Sequence, residues 1–171
     1  MRRRTAVLTL ALILVVVALN VARLAVVRGA EPLVAGTFVS VSGPTMPGEA
    51  SILRFEPGAE VVFRFDLYNT GRWPLTITGI EPARAGFARA AVLDCGGHIP
   101  ETCVPLLRAR LGSRGRHLFH VVATFGRCAG REPGEIVAAG DFIVEMHVLG
   151  VPVRQALRVD HTAFVVPEPC G

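Results

Sequence analysis

The sequence predicts an all-β fold: a β-sandwich of about seven to eight strands, preceded by one N-terminal transmembrane helix. Three observations predict the sandwich. Residues 61–68 and 142–148 alternate apolar and polar side chains, which is the period of a strand with one buried face. Turn signals rich in Gly and Pro separate many short runs of this kind. Beyond the first thirty residues, no stretch shows a convincing helical period.

The N-terminal segment combines a basic start with a long apolar run. Arg2, Arg3 and Arg4 precede residues 5–22, which carry no charge, and apolar residues continue to Val27 around Arg23. At about 1.5 Å per residue, this run matches a hydrocarbon core about 30 Å thick. A secretory signal is usually shorter, at about 7–15 apolar residues. We therefore expect an uncleaved signal anchor, with a cleaved signal peptide as the alternative.

The basic start also predicts orientation. Positive residues before a first span usually stay in the cytoplasm. We therefore assign residues 1–4 to the cytoplasm, 5–27 to the transmembrane anchor, 28–35 to a short spacer and 36–171 to one exported domain. A cleaved signal would place that domain on the same extracytoplasmic side.

The net charge of +4 reflects the N-terminal segment, because residues 1–30 hold five Arg and no acidic residue. In the rest of the chain, Arg nearly balances the fourteen acidic residues. A nearly neutral domain has no electrostatic footprint for nucleic acid, so no nucleic acid is expected as a partner.

The first strands are short and then lengthen. Residues 37–41 and 51–55 are short strand candidates on either side of a turn rich in Gly and Pro. Residues 61–69 alternate cleanly and stop at Asn69-Thr70-Gly71. Asn and Gly tolerate positive φ, so this break indicates a corner. Pro74 then opens a second alternating run, residues 75–80.

The later runs differ in how clearly their side-chain pattern indicates a strand. Residues 86–95 fit a strand or a short helix, and residues 104–112 are ambiguous but would tolerate an edge strand. Residues 116–128 are strongly β-prone. Residues 141–150 alternate again and end at a Gly turn, and 153–166 supply the last strand or two.

The four cysteines, an even number in an exported domain, predict two disulfides. Three connectivities are possible. We prefer Cys95–Cys103, which closes the short loop CGGHIPETC, and Cys128–Cys170, which would tie down the C-terminus. A metal site that includes His98 is the alternative, but its spacing fits no common zinc pattern.

Four segments carry a resemblance: FRFDLYNTGRWPLTITGI, FGRC, IVEMHVLGVPVRQALRV and PEPCG. Together they resemble uncharacterised single-pass membrane proteins of high-GC Gram-positive bacteria. Those proteins share a strand ending in Asn-x-Gly, a Pro-led strand, a mid-domain Cys and a late hairpin with Gly at its tip. The resemblance spans most of residues 60–170. It implies an exported Ig-like domain, and it supports the Cys128–Cys170 pairing.

No catalytic, cofactor or metal site is expected. His117 and His120 would point to opposite faces of a strand. His147 and His161 could join Met146 around copper, but Met146 falls on the apolar face. The sequence has no Gly-x-Ser-x-Gly, no nameable carboxylate pair and no phosphate loop. We therefore predict that the protein is not an enzyme.

Two features are candidate partner contacts. Trp73, the single Trp, either packs over the end of the sandwich or stands out as a binding anchor. The one local basic cluster is either a solvated loop or a contact for anionic lipid or acidic wall polymer. It consists of Arg108, Arg110, Arg114 and Arg116.

The combined prediction is a membrane-anchored extracytoplasmic Ig-like module with a protein-binding or structural role in the cell envelope. Its expected partners are the membrane and another envelope protein. An exported metal- or small-ligand-binding module is the alternative. The step from fold to role rests on analogy.

Overall fold

The computed structural model describes residues 2–28, 31–46, 49–83, 86–96, 102–127 and 132–166. Within those residues it contains one helix and thirteen strands, so the all-β prediction is confirmed. The elements are α1 Arg2–Arg28, β1 Leu33–Ser42, β2 Thr45–Met46, β3 Glu49–Arg54, β4 Glu60–Asn69, β5 Leu75–Pro82, β6 Phe87–Asp94, β7 Val104–Pro105, β8 Ala109–Leu111, β9 Arg116–Phe125, β10 Ile136–Ala138, β11 Asp141–Val148, β12 Val151–Arg158 and β13 Ala163–Val165.

The longer strands lie where the sequence predicts them, but the total of thirteen exceeds the predicted seven to eight because short strands are added. Eight have six or more residues, and the other five have two or three. The first strand begins earlier than predicted, at Leu33. Residues 86–95 form a strand, and residues 104–112 split into two short edge strands, β7 and β8.

Two antiparallel sheets form the main layers. One has the strand order β1-β4-β9-β6-β7 and the other β12-β11-β5-β8. Their buried faces meet at Phe142 on β11, whose ring centroid lies 5.2 Å from that of Phe63 and 5.0 Å from that of Phe65 on β4. The alternating pattern of β4 therefore places its apolar side chains between the layers.

A third sheet, β10-β13-β3-β2, closes one end of this core. Its strands β3 and β13 run parallel. Phe55, which follows β3, lies 4.7 Å from the Phe125 ring at the end of β9 and 5.4 Å from Phe164 on β13. These tilted rings continue the core beyond the two main layers.

The two main layers are also joined along one side by Gln155 of β12, which is 6% exposed. Its Oε1 accepts a hydrogen bond from the Leu33 N–H at 3.1 Å, and its Nε2 donates to the Leu33 carbonyl at 2.6 Å. The side-chain amide thus pairs with both backbone groups of Leu33, as a residue of a neighbouring strand would.

Helix α1 meets the sheets near its C-terminal end. Val27 is buried in the core at 1% exposure, and Arg23 lies close to Gly150 at the β11–β12 turn. Large apolar side chains from Leu10 to Leu24 are exposed. Among the residues that the structure describes, no helix combines the length and apolarity needed to cross a membrane. The prediction of a transmembrane anchor over residues 5–27 is therefore not supported.

Candidate functional site

The break after β4 is a corner held by one buried amide. Asn69 is fully buried, and its Nδ2 donates to the carbonyls of Trp73 at 2.9 Å and Gly112 at 2.8 Å. Its Oδ1 accepts from the Gly71 N–H at 2.9 Å, as in an Asx turn. The Ser113 hydroxyl donates to the Gly71 carbonyl at 2.9 Å. The loop after β4 is therefore fixed to the turn between β8 and β9.

Trp73 projects from this fixed corner with 49% of its surface exposed. Arg72 beside it is exposed, as is Arg110 on the edge strand β8. Arg114 lies exposed in the β8–β9 turn and adopts a left-handed φ of 57°. We call these four residues the end surface. Strand pairing and the hydrogen bonds of the corner place all four at the end of the sandwich opposite the third sheet.

The predicted basic cluster is divided by the fold. The Arg116 guanidinium forms an ion pair with Asp66, whose side chain is only 3% exposed. The backbone of Gly36 passes directly over that carboxylate, where a Cβ would overlap it. The Arg116 guanidinium is therefore paired within the molecule. Arg108 is exposed on the connection between β7 and β8 and is not part of the end surface.

The predicted Cys95–Cys103 disulfide is confirmed, with the two Cα atoms 4.3 Å apart. Cys95 follows β6, and its N–H donates to the Leu118 carbonyl of β9 at 3.0 Å. Cys103 comes just before β7, so the bridge joins the two ends of the excursion between these strands. The predicted Cys128–Cys170 pair lies outside the described residues.

His120 on β9 completes a cluster with this disulfide. Its Nδ1 lies 3.6 Å from Cys103 Sγ, and one donor atom from each of the three residues lies within 4.8 Å of the others. Cys95 is buried, while Cys103 and His120 are half-buried. We call Cys95, Cys103 and His120 the Cys–His cluster.

The surroundings of the His120 imidazole favour its neutral form. Burial lowers the pKa of His120 below its ordinary value of 6.5, and Arg64, opposite His120 on β4, lowers it further. Both effects disfavour the imidazolium form. The ring therefore retains a nitrogen lone pair at neutral pH.

The sequence gives no local signal for this cluster. His120 is seventeen residues from Cys103, and it reaches the sulfur because β9 pairs with β6, with Leu93 opposite His120. Within the described residues, this is the one group of three potential metal ligands. Sequence reasoning considered His98 instead, which lies outside the described residues.

The other histidines do not form a site with the cluster. His117, on the opposite face of β9, has its Nε2 2.5 Å from Asp94 Oδ1 and its ring centroid 5.2 Å from that of Phe119. This pair closes the end of the core. His147 and His161 are exposed, whereas Met146 is buried at 1%. The copper set considered from the sequence is therefore not assembled.

Comparison with protein-family models and with curated proteins finds no match. Among solved structures, the chain is similar to the alkylpurine DNA glycosylase AlkC of Pseudomonas fluorescens bound to DNA containing an abasic-site analogue. The identity is 15% and the TM-score 0.30, over 74% of this chain and 30% of that one. This chain thus spans less than a third of the glycosylase.

The predicted set of partners is corrected by these findings. The sequence predicted the membrane and another envelope protein as partners, and it excluded nucleic acid. Within the part of the chain that the structure describes, no helix could cross a membrane, and the similar structure is that of a DNA-bound glycosylase. The membrane contact is therefore wrong as predicted for the described residues, and the exclusion of nucleic acid is dropped. A TM-score of 0.30 carries no argument for what this chain itself binds.

Proposed function

We propose that this chain is an extracytoplasmic Ig-like module that binds another protein through the end surface. The observation that carries the proposal is Trp73. Its side chain is 49% exposed, while the buried Asn69 holds its backbone in place. A large, exposed aromatic side chain on a fixed backbone is the usual anchor of a protein interface.

Two features support the type of module. Two antiparallel sheets with facing apolar surfaces are the arrangement found in Ig-like sandwiches. The Cys95–Cys103 disulfide supports an oxidising, extracytoplasmic location, because such bonds are rare in the reducing cytosol.

The rigidity of the corner favours binding. Ordering a loop during association costs binding free energy, and a loop ordered beforehand avoids that cost. Three hydrogen bonds from the Asn69 side chain fix the loop that carries Trp73 before any partner arrives. The indole can then enter a partner pocket with little further loss of freedom.

The charges around Trp73 indicate the chemistry of the partner. Arg72, Arg110 and Arg114 are exposed at the same end of the sandwich. A guanidinium pairs with a carboxylate through two parallel hydrogen bonds. We therefore expect the partner to present carboxylates around an apolar pocket that accepts the indole.

The test begins with a photo-crosslinking residue at position 72, with position 136 as the control at the opposite end. The protein captured at 72 and not at 136 is purified, and its affinity for the full-length chain is measured. Trp73→Ala should weaken binding about 30-fold, which corresponds to a hot spot of about 2 kcal/mol.

Ile136→Ala is the matched control, since Ile136 is an exposed apolar residue, 66% exposed, on the third sheet. It should leave the affinity unchanged. Equal affinities for the wild type and Trp73→Ala would contradict the proposal, as would equal losses in the two variants.

A further inference from the structure

We propose that the Cys–His cluster is a redox-controlled site for a divalent cation of the zinc class. The disulfide is its closed form, and reduction of Cys95 and Cys103 opens it. The inference rests on the placement of the three side chains. It is independent of the end surface, which shares no residue with the cluster.

The donor set fits zinc chemistry. Two thiolates and one imidazole are ligands that Zn²⁺ takes in proteins, at about 2.3 Å for sulfur and about 2.0–2.1 Å for nitrogen. In a tetrahedron with those bond lengths, a sulfur and a nitrogen ligand lie about 3.5 Å apart. Cys103 Sγ and His120 Nδ1 are 3.6 Å apart. This edge of the coordination polyhedron is therefore in place before any metal arrives.

The third donor also lies within reach. Cys95 Sγ is among the three atoms within 4.8 Å of one another, and reduction frees it to move to its own position around the ion. The backbone of Cys95 is fixed to β9 by its hydrogen bond to Leu118. The cluster thus has two donors from one excursion of the chain and one donor from the rigid central strand.

The chemistry balances with a dithiol reductant as co-reactant. Two electrons and two protons pass to the disulfide, the sulfur–sulfur bond breaks, and the reductant becomes a disulfide. Binding of the cation then releases the two thiol protons, because only thiolates act as ligands. His120 contributes a nitrogen lone pair from its imidazole ring.

Charge and access agree with such a site. A divalent ion with two thiolates is neutral overall, so Arg64 opposite His120 does not repel the filled site. Cys103 and His120 are half-buried, which leaves an approach for the ion, and Cys95 lies beneath them. Three protein donors leave one tetrahedral position for water or another ligand.

The test uses the full-length chain, reduced without oxygen by a phosphine that is then removed. Co²⁺ serves as the probe, because tetrahedral cobalt–thiolate centres absorb visibly. The reduced chain should take up one Co²⁺ at this cluster and exchange it for Zn²⁺, while the oxidised chain should take up none. Zn²⁺ should also slow alkylation of Cys95 and Cys103 more than that of Cys128 and Cys170, as read by mass spectrometry.

Variants locate the ligands. Cys128→Ser with Cys170→Ser should keep the cobalt spectrum, and Cys103→Ser should reduce its thiolate band by half or more, because only Cys95 remains as a sulfur ligand. His120→Ala should weaken binding about tenfold or more, with His120→Asn as a second variant if the first does not fold. His147→Ala, which removes an exposed histidine on β11, should change nothing.

Three results would overturn the proposal. One is a reduced chain that takes up no cobalt, whether or not circular dichroism shows it folded. Another is uptake that survives unchanged in Cys103→Ser or in both His120 variants. The third is uptake that disappears when only Cys128 and Cys170 are replaced.

Discussion

Individual buried polar side chains fix parts of the backbone of this molecule in place. Asn69 satisfies three backbone groups at the corner after β4, and Asp66 receives Arg116 while the Gly36 backbone covers it. A buried polar group without such pairing costs about 1–3 kcal/mol. These side chains therefore fix their surroundings more firmly than apolar residues of similar size would.

His120 should make the stability of the folded protein depend measurably on pH. Its pKa is lower in the folded protein than its ordinary value of 6.5, first through burial and then through Arg64. As the pH falls through the ordinary histidine pKa of 6.5 towards the lower pKa of the folded state, the unfolded chain binds more protons than the folded one. The free energy of unfolding therefore decreases. We expect this decrease to be smaller in His120→Gln.

Urea unfolding of the disulfide-bonded protein between about pH 8 and pH 5 measures the effect. Arg64→Gln separates the two causes of the lowered pKa. It should make the loss of stability at low pH only partly smaller, because the burial of His120 remains. The same pH slope in the wild type and in His120→Gln would show that this histidine does not contribute.

At the scale of elements, side chains extend the pairing of strands beyond the backbone ladder. β1 pairs with β4 along one edge, and on its other side the Gln155 amide of β12 pairs with the N–H and the carbonyl of Leu33. The edge of one layer is thus joined to the edge of the other without a continuous sheet.

Gln155→Leu tests this link. The change keeps similar bulk but leaves the Leu33 N–H and carbonyl without their buried partner, which should lower the free energy of unfolding by about 2–4 kcal/mol. Hydrogen exchange at the Leu33 amide should become faster. Arg154→Ala on the same strand is the control, since the pair between Arg154 and Glu145 is exposed and should contribute less than about 1 kcal/mol. An unchanged exchange rate at Leu33 would contradict the link.

The sequence predicts those elements whose signal is local. The alternation in β4 and β11 comes from the sheet period, and the corner at Asn69 comes from turn chemistry. The short strands β2, β7, β8 and β10 are too brief for a period to show. They exist because neighbouring strands offer hydrogen-bonding groups, which is information that no short window contains.

The candidate sites follow the same division. The Cys95–Cys103 bridge is predictable because both residues lie in one short loop. The approach of His120 to Cys103 depends on the register between β6 and β9, and the burial of Asp66 depends on an irregularity in β1 after Ala35. Alternation alone places Asp66 on an outer, polar face, yet it is 2% exposed.

At the scale of the whole molecule, the facing aromatic rings hold the two layers together. Phe142→Ala should lower the free energy of unfolding by about 3–5 kcal/mol, because this fully buried ring fills the space between Phe63 and Phe65. Denaturant unfolding provides the measurement. Leu107→Ala, at an 84% exposed position, should stay within about 0.5 kcal/mol of the wild type. Similar losses in both variants would refute this account of the core.

The parallel pairing of β3 with β13 has a consequence for the order of events during folding. Residues 52–54 pair with residues 163–165, so more than a hundred residues must be synthesised before β3 meets this neighbour. Contacts so distant in sequence form slowly, because the intervening chain must first be brought together. Until then, one side of β3 has unpaired backbone groups, and Phe55 beside it lacks the cover of Phe164. A nascent chain halted before β13 would therefore expose an open strand edge next to an uncovered aromatic ring, and so be prone to self-association.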